Sequence, residues 1–127
     1  MQSLARIALV VADYDEALDY YVGTLGFDVT EDTELTSEKR WVVVTPPGSD
    51  CSLLLAKAKG NDQKAAIGNQ SGGRVFLFLH TDDFDGDFER YTEAGVDFIE
   101  DPRQEAYGKV VVFRDLYGNL WDLIGRS

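Results

Sequence analysis

Short apolar runs alternate with acidic, turn-forming segments along the whole chain, and this pattern predicts strands joined by helices. Two apolar runs, RIALVV and VFLFLH, each lead into an aspartate-rich turn. Apolar residues at helical spacing follow over 14–25 and 84–94, and a glycine comes directly after each stretch, as is usual at helix ends. A further strand then begins, and a strand–turn–strand segment closes each half, over 40–56 and 108–124.

The two halves of the chain also resemble each other residue by residue. Residues 6–32 align with 76–101 if one deletion is allowed before the glycine, so that Asp13 matches Asp83 and Tyr21 matches Tyr91. Each half therefore predicts a β-α-β-β-β module. Two such modules in tandem predict an α+β fold whose curved mixed sheets surround a shared cleft.

The repeat also sets the expected domain organisation. We expect a single domain over residues 1–127, because this length suits one hydrophobic core. Its predicted parts are a first module at about 4–56, a linker at about 57–73 and a second module at about 74–126.

Charge and cysteine content exclude several classes of function. The net charge of −11 disfavours nucleic acid and anionic membranes as partners, because both require a basic surface. Cys51 is the only cysteine, so neither an intrachain disulfide nor a thiolate metal site is expected. The start of the sequence lacks the features of a signal peptide, and we expect a cytoplasmic protein.

Three segments together resemble the vicinal-oxygen-chelate superfamily, which includes glyoxalase I, extradiol dioxygenases, and bleomycin- and fosfomycin-resistance proteins. These are LVVADYDEALDYYVGTLGF, TDDFDGDFERYTEAGV and RDLYGNLWDLI. The resemblance covers nearly the whole chain. It implies paired β-α-β-β-β modules, each with its sheet curved into a U, and a site in the concavity.

The resemblance also implies four positions at which metal-dependent members carry ligands, usually His or Gln, Glu, His and Glu. These positions lie on the first and last strands of each module. In this chain they fall at Arg6, Leu54, Phe76 and Asp122. Only Asp122 offers a suitable donor, since arginine is a permanent cation and the other two side chains lack lone pairs. We therefore expect no metal and no cofactor.

Asp122 interrupts the apolar strand LWDLI, and a carboxylate there is costly unless it is paired. We expect it to meet Arg6 in the cleft, at the place of the lost metal, because an arginine binds a carboxylate through two hydrogen bonds. Two roles for this pair remain open. It is either an anchor for a ligand or a structural ion pair.

Other residues are candidates for contact with a ligand. Aromatic and apolar side chains on strands suit a flat or apolar molecule, and the segment PRQEAYG at 102–108 is expected to be a mobile loop at the rim of the cleft. The candidate ligand-binding residues are Arg6, Trp41, Leu54, Phe76, Phe78, Tyr107 and Asp122. Asp122 and Glu105 are the candidates for a catalytic base.

The predicted function is metal-independent binding of a small molecule in the cleft, as in the bleomycin-resistance branch. The alternative is a lyase, isomerase or dioxygenase of the same superfamily, either metal-dependent or using Asp122 or Glu105 as a base. A domain that binds a partner protein is a third possibility. By analogy with the family, and because two-fold pairs are common, we expect a homodimer. The charge of the ligand stays open, since the acidic chain favours a cation and Arg6 favours an anion.

Overall fold

The computed structural model describes residues 1–126 and divides them into two units, residues 1–67 and 68–126. Each unit contains a mixed β-sheet together with the helix that follows its first strand. The predicted α+β architecture of two β-α-β-β-β modules is thus confirmed. No helix within the described part of the chain has the length and apolar character needed to cross a membrane.

The first unit holds a four-stranded sheet in the order β1-β4-β3-β2. Its first and last strands, β1 and β4, run parallel, and the other neighbours are antiparallel. The elements are β1 (Arg6–Val11), α1 (Tyr14–Leu18), β2 (Asp28–Glu34), β3 (Arg40–Thr45), β4 (Ser52–Lys57) and α2 (Gly60–Ala66). Every residue of β2, at the edge of the sheet, is exposed.

The second unit repeats this arrangement with one additional strand. Its sheet has the order β5-β9-β8-β6, with β7 also paired to β8, and its first and last strands are again parallel. The elements are β5 (Val75–Thr81), α3 (Phe84–Glu93), β6 (Asp97–Phe98), β7 (Arg103–Glu105), β8 (Gly108–Arg114) and β9 (Leu120–Arg126).

The repeat-equivalent helices α1 and α3 begin at the aspartates that the repeat brings into alignment. The carboxylate of Asp13 accepts a hydrogen bond from the backbone N–H of Glu16 at 2.9 Å, and that of Asp83 accepts one from Gly86 at 3.2 Å. Both aspartates therefore cap a helix by satisfying a backbone donor of its first turn. The first predicted helix, 14–25, is not uniform, because α1 continues as a π-helix over Asp19–Thr24.

One face of each sheet packs into the core, and the opposite face also contains buried residues, among them Val43, Val110 and Ile124. The repeat-equivalent Tyr21 and Tyr91 are both buried, with exposed fractions of 0% and 3%. The buried strand residues that alternate along this face in the first unit are Leu9, Val11, Val42, Val44, Leu53 and Leu55. Those in the second unit are Val111, Phe113, Trp121 and Leu123. Because side chains alternate between faces, the residues between these positions lie on the other face of each sheet.

Two segments of the second unit differ from the prediction. The segment 102–108 was expected to be a mobile loop, and this was wrong, because Arg103–Glu105 forms β7 and pairs with β8 in a hairpin. Its polar composition concealed a strand whose partner follows directly in sequence. The strand expected over 96–101 is shorter, with only Asp97–Phe98 in β6.

The turn between β8 and β9 is held together by the carboxylate of Asp115. One oxygen accepts hydrogen bonds from the backbone N–H groups of Tyr117, Gly118 and Asn119, at 3.0, 3.1 and 3.0 Å. The other accepts one from the indole Nε1 of Trp121 at 2.9 Å. With an exposed fraction of 5%, Asp115 ties the turn to the first residues of β9.

Replacing Asp115 is expected to destabilise the protein strongly. Asp115→Ala leaves several donors without their acceptor, and we expect a loss of about 3 kcal/mol or more in the free energy of unfolding, measured by urea denaturation. The matched control is Asp101→Ala, because Asp101 is exposed. A loss equal to that of the control would show that Asp115 does not stabilise the turn.

Candidate functional site

Three candidate residues lie on one face of the first sheet. Ala8 pairs with Leu54, and Leu54 pairs with Val43 on the next strand. Arg6 is two residues from Ala8, and Trp41 is two residues from Val43, so strand alternation places both on the same face as Leu54. We call Arg6, Trp41 and Leu54 the first site face.

The Arg6 and Trp41 side chains contact each other. The guanidinium carbon of Arg6 lies 5.6 Å from the centre of the Trp41 ring, which is within the range of a cation–π interaction. The indole Nε1 donates a hydrogen bond to the carboxylate of Glu31 at 2.9 Å. The carboxylate of Glu31 thus holds the edge of the indole ring, and the guanidinium of Arg6 covers its face.

Sequence reasoning missed Glu31 as a member of this group. The residue belongs to an acidic run in β2 that looks like a solvated surface segment. Its role depends on the pairing of β2 with β3, in which Glu31 is registered opposite Val43. No local signal marks one carboxylate of the run as the partner of the indole.

Phe78 and Asp122 are direct neighbours in the second sheet. They are partners in the parallel pairing of β5 with β9, and Asp122 is also registered opposite Val112 on β8. The pair Phe78–Asp122 corresponds in the repeat to Ala8–Leu54 in the first unit. We call Phe78, Val112 and Asp122 the second site face. The register supports the alignment that made Leu54 and Asp122 equivalent.

Phe76 departs from this symmetry. Val75 is registered opposite Leu120, and Leu77 is registered opposite Trp121, the next residue of β9. Over this stretch β5 advances by two residues while β9 advances by one. Phe76 is the additional residue of β5, and it lies in a bulge without a registered partner. Arg6, its counterpart in the first unit, is paired regularly with Ser52. A position derived from the repeat alone did not allow for this bulge.

Asp122 is buried, with an exposed fraction of 8%. Its Oδ1 atom accepts no hydrogen bond from any residue in the described range 1–126. Burial raises the pKa of the carboxyl group above its ordinary value, Arg103 acts in the opposite direction, and Glu100 adds to the increase. Desolvation has the largest effect because it disfavours the charged form.

Arg103 lies on β7, in the neighbouring hairpin of β7 and β8, and binds two carboxylates. Its guanidinium forms ion pairs with Glu105 at 2.5 Å and with Glu100 at 3.3 Å. Hydrogen bonds to Glu105 and to Tyr107 raise the pKa of the Arg103 guanidinium above its ordinary value. Glu105 is therefore already engaged in an ion pair with a cation, and Tyr107 is 55% exposed.

Glu100 is a second residue that the sequence did not reveal. Its carboxylate accepts hydrogen bonds from the backbone N–H of Val112 at 3.0 Å and from Arg103 at 3.3 Å. Glu100 thus links Arg103 of β7 to the backbone of β8 at Val112, the residue registered opposite Asp122. Its importance comes from these contacts, which local sequence does not encode.

The four positions that the resemblance assigns to metal ligands offer few metal donors here. Arg6, Leu54, Phe76 and Asp122 together supply a single carboxylate and one permanent cation. Among residues 1–126, no three His, Cys, Asp or Glu side chains are grouped so that they could hold a metal ion. The predicted contact of Arg6 with Asp122 stays a prediction. The contact that the structure gives Arg6 within its own unit is with Trp41.

The fold and the duplicated modules define a class of protein. Residues 3–123 match the sequence model of the Glyoxalase/Bleomycin resistance protein/Dioxygenase superfamily. The chain belongs to this superfamily.

Particular relatives support this membership. The chain is 58% identical over 125 residues to an uncharacterized protein of Shewanella frigidimarina (strain NCIMB 400), covering 97% of this chain and 93% of the relative. It is 31% identical to TnmS3, an antibiotic binding protein from Streptomyces sp. CB03234, with a TM-score of 0.80 and coverage of 100% and 98%. A glyoxalase/bleomycin resistance protein from the same strain is 33% identical, with a TM-score of 0.75 and coverage of 96% and 99%.

The burial of Asp122 predicts a specific dependence of stability on pH. Because the pKa of Asp122 is raised in the folded state, the folded protein holds this proton more tightly than the unfolded chain. The contribution of this group to stability is thus complete below its ordinary pKa and is lost as the pH rises through the raised value. The isosteric variant Asp122→Asn has no carboxyl group at this position, so it does not lose this contribution to stability as the pH rises.

We therefore expect the free energy of unfolding of Asp122→Asn, relative to that of the wild type, to increase with pH and then to level off. Urea denaturation at a series of pH values measures this difference, and carbon NMR of the Asp122 carboxyl group measures the pKa directly. Asp101→Asn removes an exposed carboxylate and serves as the control. A difference that is constant with pH, or an Asp122 pKa below the ordinary value, would contradict the prediction.

Proposed function

We propose that this protein binds a small aromatic molecule and does so without a metal ion. The observation that carries the proposal is the replacement at the four metal-ligand positions. A cation, two apolar side chains and one carboxylate stand where metal-dependent relatives have donors. These side chains and their neighbours suit recognition of an organic molecule by stacking and charge.

The relatives support the same function. TnmS3 is described as an antibiotic binding protein and shares 31% of residues with this chain over nearly its full length. Binding of this kind requires a shaped and chemically complementary surface and no reacting group. Both site faces provide an aromatic ring beside a charged group, Trp41 with Arg6 and Phe78 with Asp122.

The first site face supports a planar ligand in particular. Trp41 is half-buried, and its ring orientation is fixed by Arg6 on one side and Glu31 at its edge. A fixed aromatic surface loses little conformational entropy when a ligand stacks on it. Arg6 adds donors for a carbonyl or an anionic group of that ligand.

An enzyme that uses Asp122 as a base is the second candidate. One observation favours it, namely the raised pKa of a buried carboxyl group, which is common among catalytic acids and bases. Glu105 is the weaker candidate because Arg103 pairs with it at 2.5 Å. Turnover of a bound ligand that is abolished in Asp122→Asn, with binding retained, would support this function.

We extend the proposal to a cytoplasmic homodimer whose partner is a small-molecule ligand. Two-fold association is the commonest form of oligomer. Light scattering coupled to size-exclusion chromatography gives the mass in solution directly, and a monomeric mass at all concentrations would contradict the dimer.

Ligand binding is expected to occur in metal-free protein and to depend on Trp41. Chelator-treated protein would be screened against planar aromatic antibiotics by thermal unfolding and by tryptophan fluorescence. A ligand at about one hundred times its dissociation constant stabilises by about 2.7 kcal/mol. Trp41→Phe should remove most of the fluorescence change. It should also weaken binding several-fold, because the smaller ring loses the contact with Glu31.

Trp121 is an internal control in this experiment. It is buried, with an exposed fraction of 2%, and it remains in the Trp41→Phe variant. Quenching that persists in this variant at full strength would indicate absorption by the ligand and not contact with Trp41. Addition of nickel, zinc, manganese or iron(II) should not change the melting temperature. A metal required for ligand binding would overturn the proposal.

A further inference from the structure

Asp122 differs from the other buried polar residues of the second unit. The buried carboxylate of Asp115 accepts hydrogen bonds on both oxygens, and the side chain of Asn119 donates to it. The hydroxyl of Thr81 donates to Asp87 at 2.5 Å. Asp122 is buried to a similar degree, yet its Oδ1 accepts no hydrogen bond from residues 1–126.

An unsatisfied carboxylate oxygen at this depth is costly. Water solvates an exposed carboxylate strongly, and burial without a partner forfeits that free energy. Proteins retain such groups where another molecule completes the hydrogen bonds. The position of Asp122 on a site face, and not within the core face, makes a ligand the natural partner.

The charged residues near Asp122 do not satisfy it. Arg103 is the nearby cation, and its guanidinium is already engaged by Glu100 and Glu105 in ion pairs. Glu100 is a second carboxylate, and it raises the pKa of Asp122 further. The charged groups around Asp122 therefore favour the binding of one additional cation.

An exposed aromatic ring stands beside this carboxylate. Phe78, the registered partner of Asp122, is 62% exposed and so presents an apolar ring to solvent. Val112, the partner on the other side, is 8% exposed. The second site face thus combines a carboxylate acceptor with an aromatic surface at neighbouring positions.

We propose that Asp122 and Phe78 bind the protonated amine of a small aromatic ligand, with the ammonium N–H donating to Asp122 Oδ1 and the aromatic part packing on Phe78. This inference rests on the proposed function and specifies the chemical class of its ligand. A charge-assisted hydrogen bond is stronger than a neutral one, and the face of an aromatic ring also attracts a cation.

Charge complementarity favours a cation over an anion at this face. The formal net charge of the chain is −11, and its field concentrates cations near the surface. An anion placed at Oδ1 would be repelled by the buried carboxylate of Asp122 and by the nearby carboxylate of Glu100. The first site face, with Arg6, belongs to the other unit and is a separate feature.

A matched series of naphthalene probes tests the proposal. The probes are 1-naphthylmethylammonium, its trimethylammonium analogue without N–H groups, neutral naphthalenemethanol and anionic 2-naphthoate. Affinities would be measured by NMR titration of the full chain. We expect the primary ammonium to bind about tenfold more tightly than the trimethylammonium and neutral probes, and the anion to bind weakest.

The variants locate the effect. Asp122→Asn should lower the affinity for the primary ammonium about tenfold and leave that of naphthalenemethanol unchanged. Phe78→Ala should weaken all probes. Asp101→Asn changes the net charge by the same amount at an exposed position and should have no effect. NMR spectra of each variant establish that it is folded before affinities are compared.

The dependence on pH gives an independent readout. Because the ammonium binds the ionised carboxylate, its affinity should rise as the pH rises through the pKa of Asp122 in the free protein. This rise should be absent in Asp122→Asn. Glu100 and Arg103 also act on this group, so Glu100→Gln should move the midpoint of the rise to lower pH, because Glu100 raises the pKa of Asp122.

The outcomes separate this inference from the proposed function. Equal affinity for all four probes, or an effect of Asp122→Asn no larger than that of Asp101→Asn, would overturn the assignment of an amine-binding carboxylate. If the antibiotic screen still shows binding that depends on Trp41, the proposed function stands. Preferential binding of the anion would also overturn the inference.

Discussion

The start of the last strand is fixed by one carboxylate, that of Asp115. By accepting the backbone N–H groups of the β8–β9 turn and the indole of Trp121, it fixes where β9 begins relative to β8. Side chains on a strand alternate with a period of two, so a slip of one residue would exchange the two faces. Trp121 would then leave the core, and Asp122 would enter it. The turn therefore determines that the core receives the indole and the site face receives the acid.

Most of the fold follows from the sequence because its signals are local. The helices α1 and α3 each begin at a capping aspartate, and the glycines Gly26 and Gly95, with φ values of +80° and +85°, lie directly after the predicted helical segments. A residue with a side chain is strained in this conformation, so glycine at both positions is informative. The π-helix over Asp19–Thr24 and the strand Arg103–Glu105 could not be predicted in the same way. A π-helix depends on a shift of hydrogen bonds, and a short polar strand depends on the strand that pairs with it.

The candidate site, like the fold, could be predicted from the sequence only in part. The repeat and the resemblance pointed to Arg6, Leu54 and Asp122, and aromatic residues on strands added Trp41 and Phe78. The structure places Arg6, Trp41 and Leu54 on one face and Phe78 and Asp122 on another. The sequence did not reveal Glu31 or Glu100, because each is distinguished from other surface acids only by a tertiary partner. Phe76 was assigned by counting residues, and a bulge in β5 disrupts that count. Duplication thus predicts equivalent positions reliably only where both copies retain a regular register.

The exposed strand β2 has a consequence for self-association. An edge strand offers unpaired backbone groups to another chain, and such edges promote aggregation unless they are protected. In DVTEDTE, four of seven side chains are carboxylates, and the strand lies at the edge of its sheet. Two copies placed edge to edge would bring these charges together, and the repulsion would oppose growth of a continuous sheet. The strand is thus shielded by the negative charge of its own side chains.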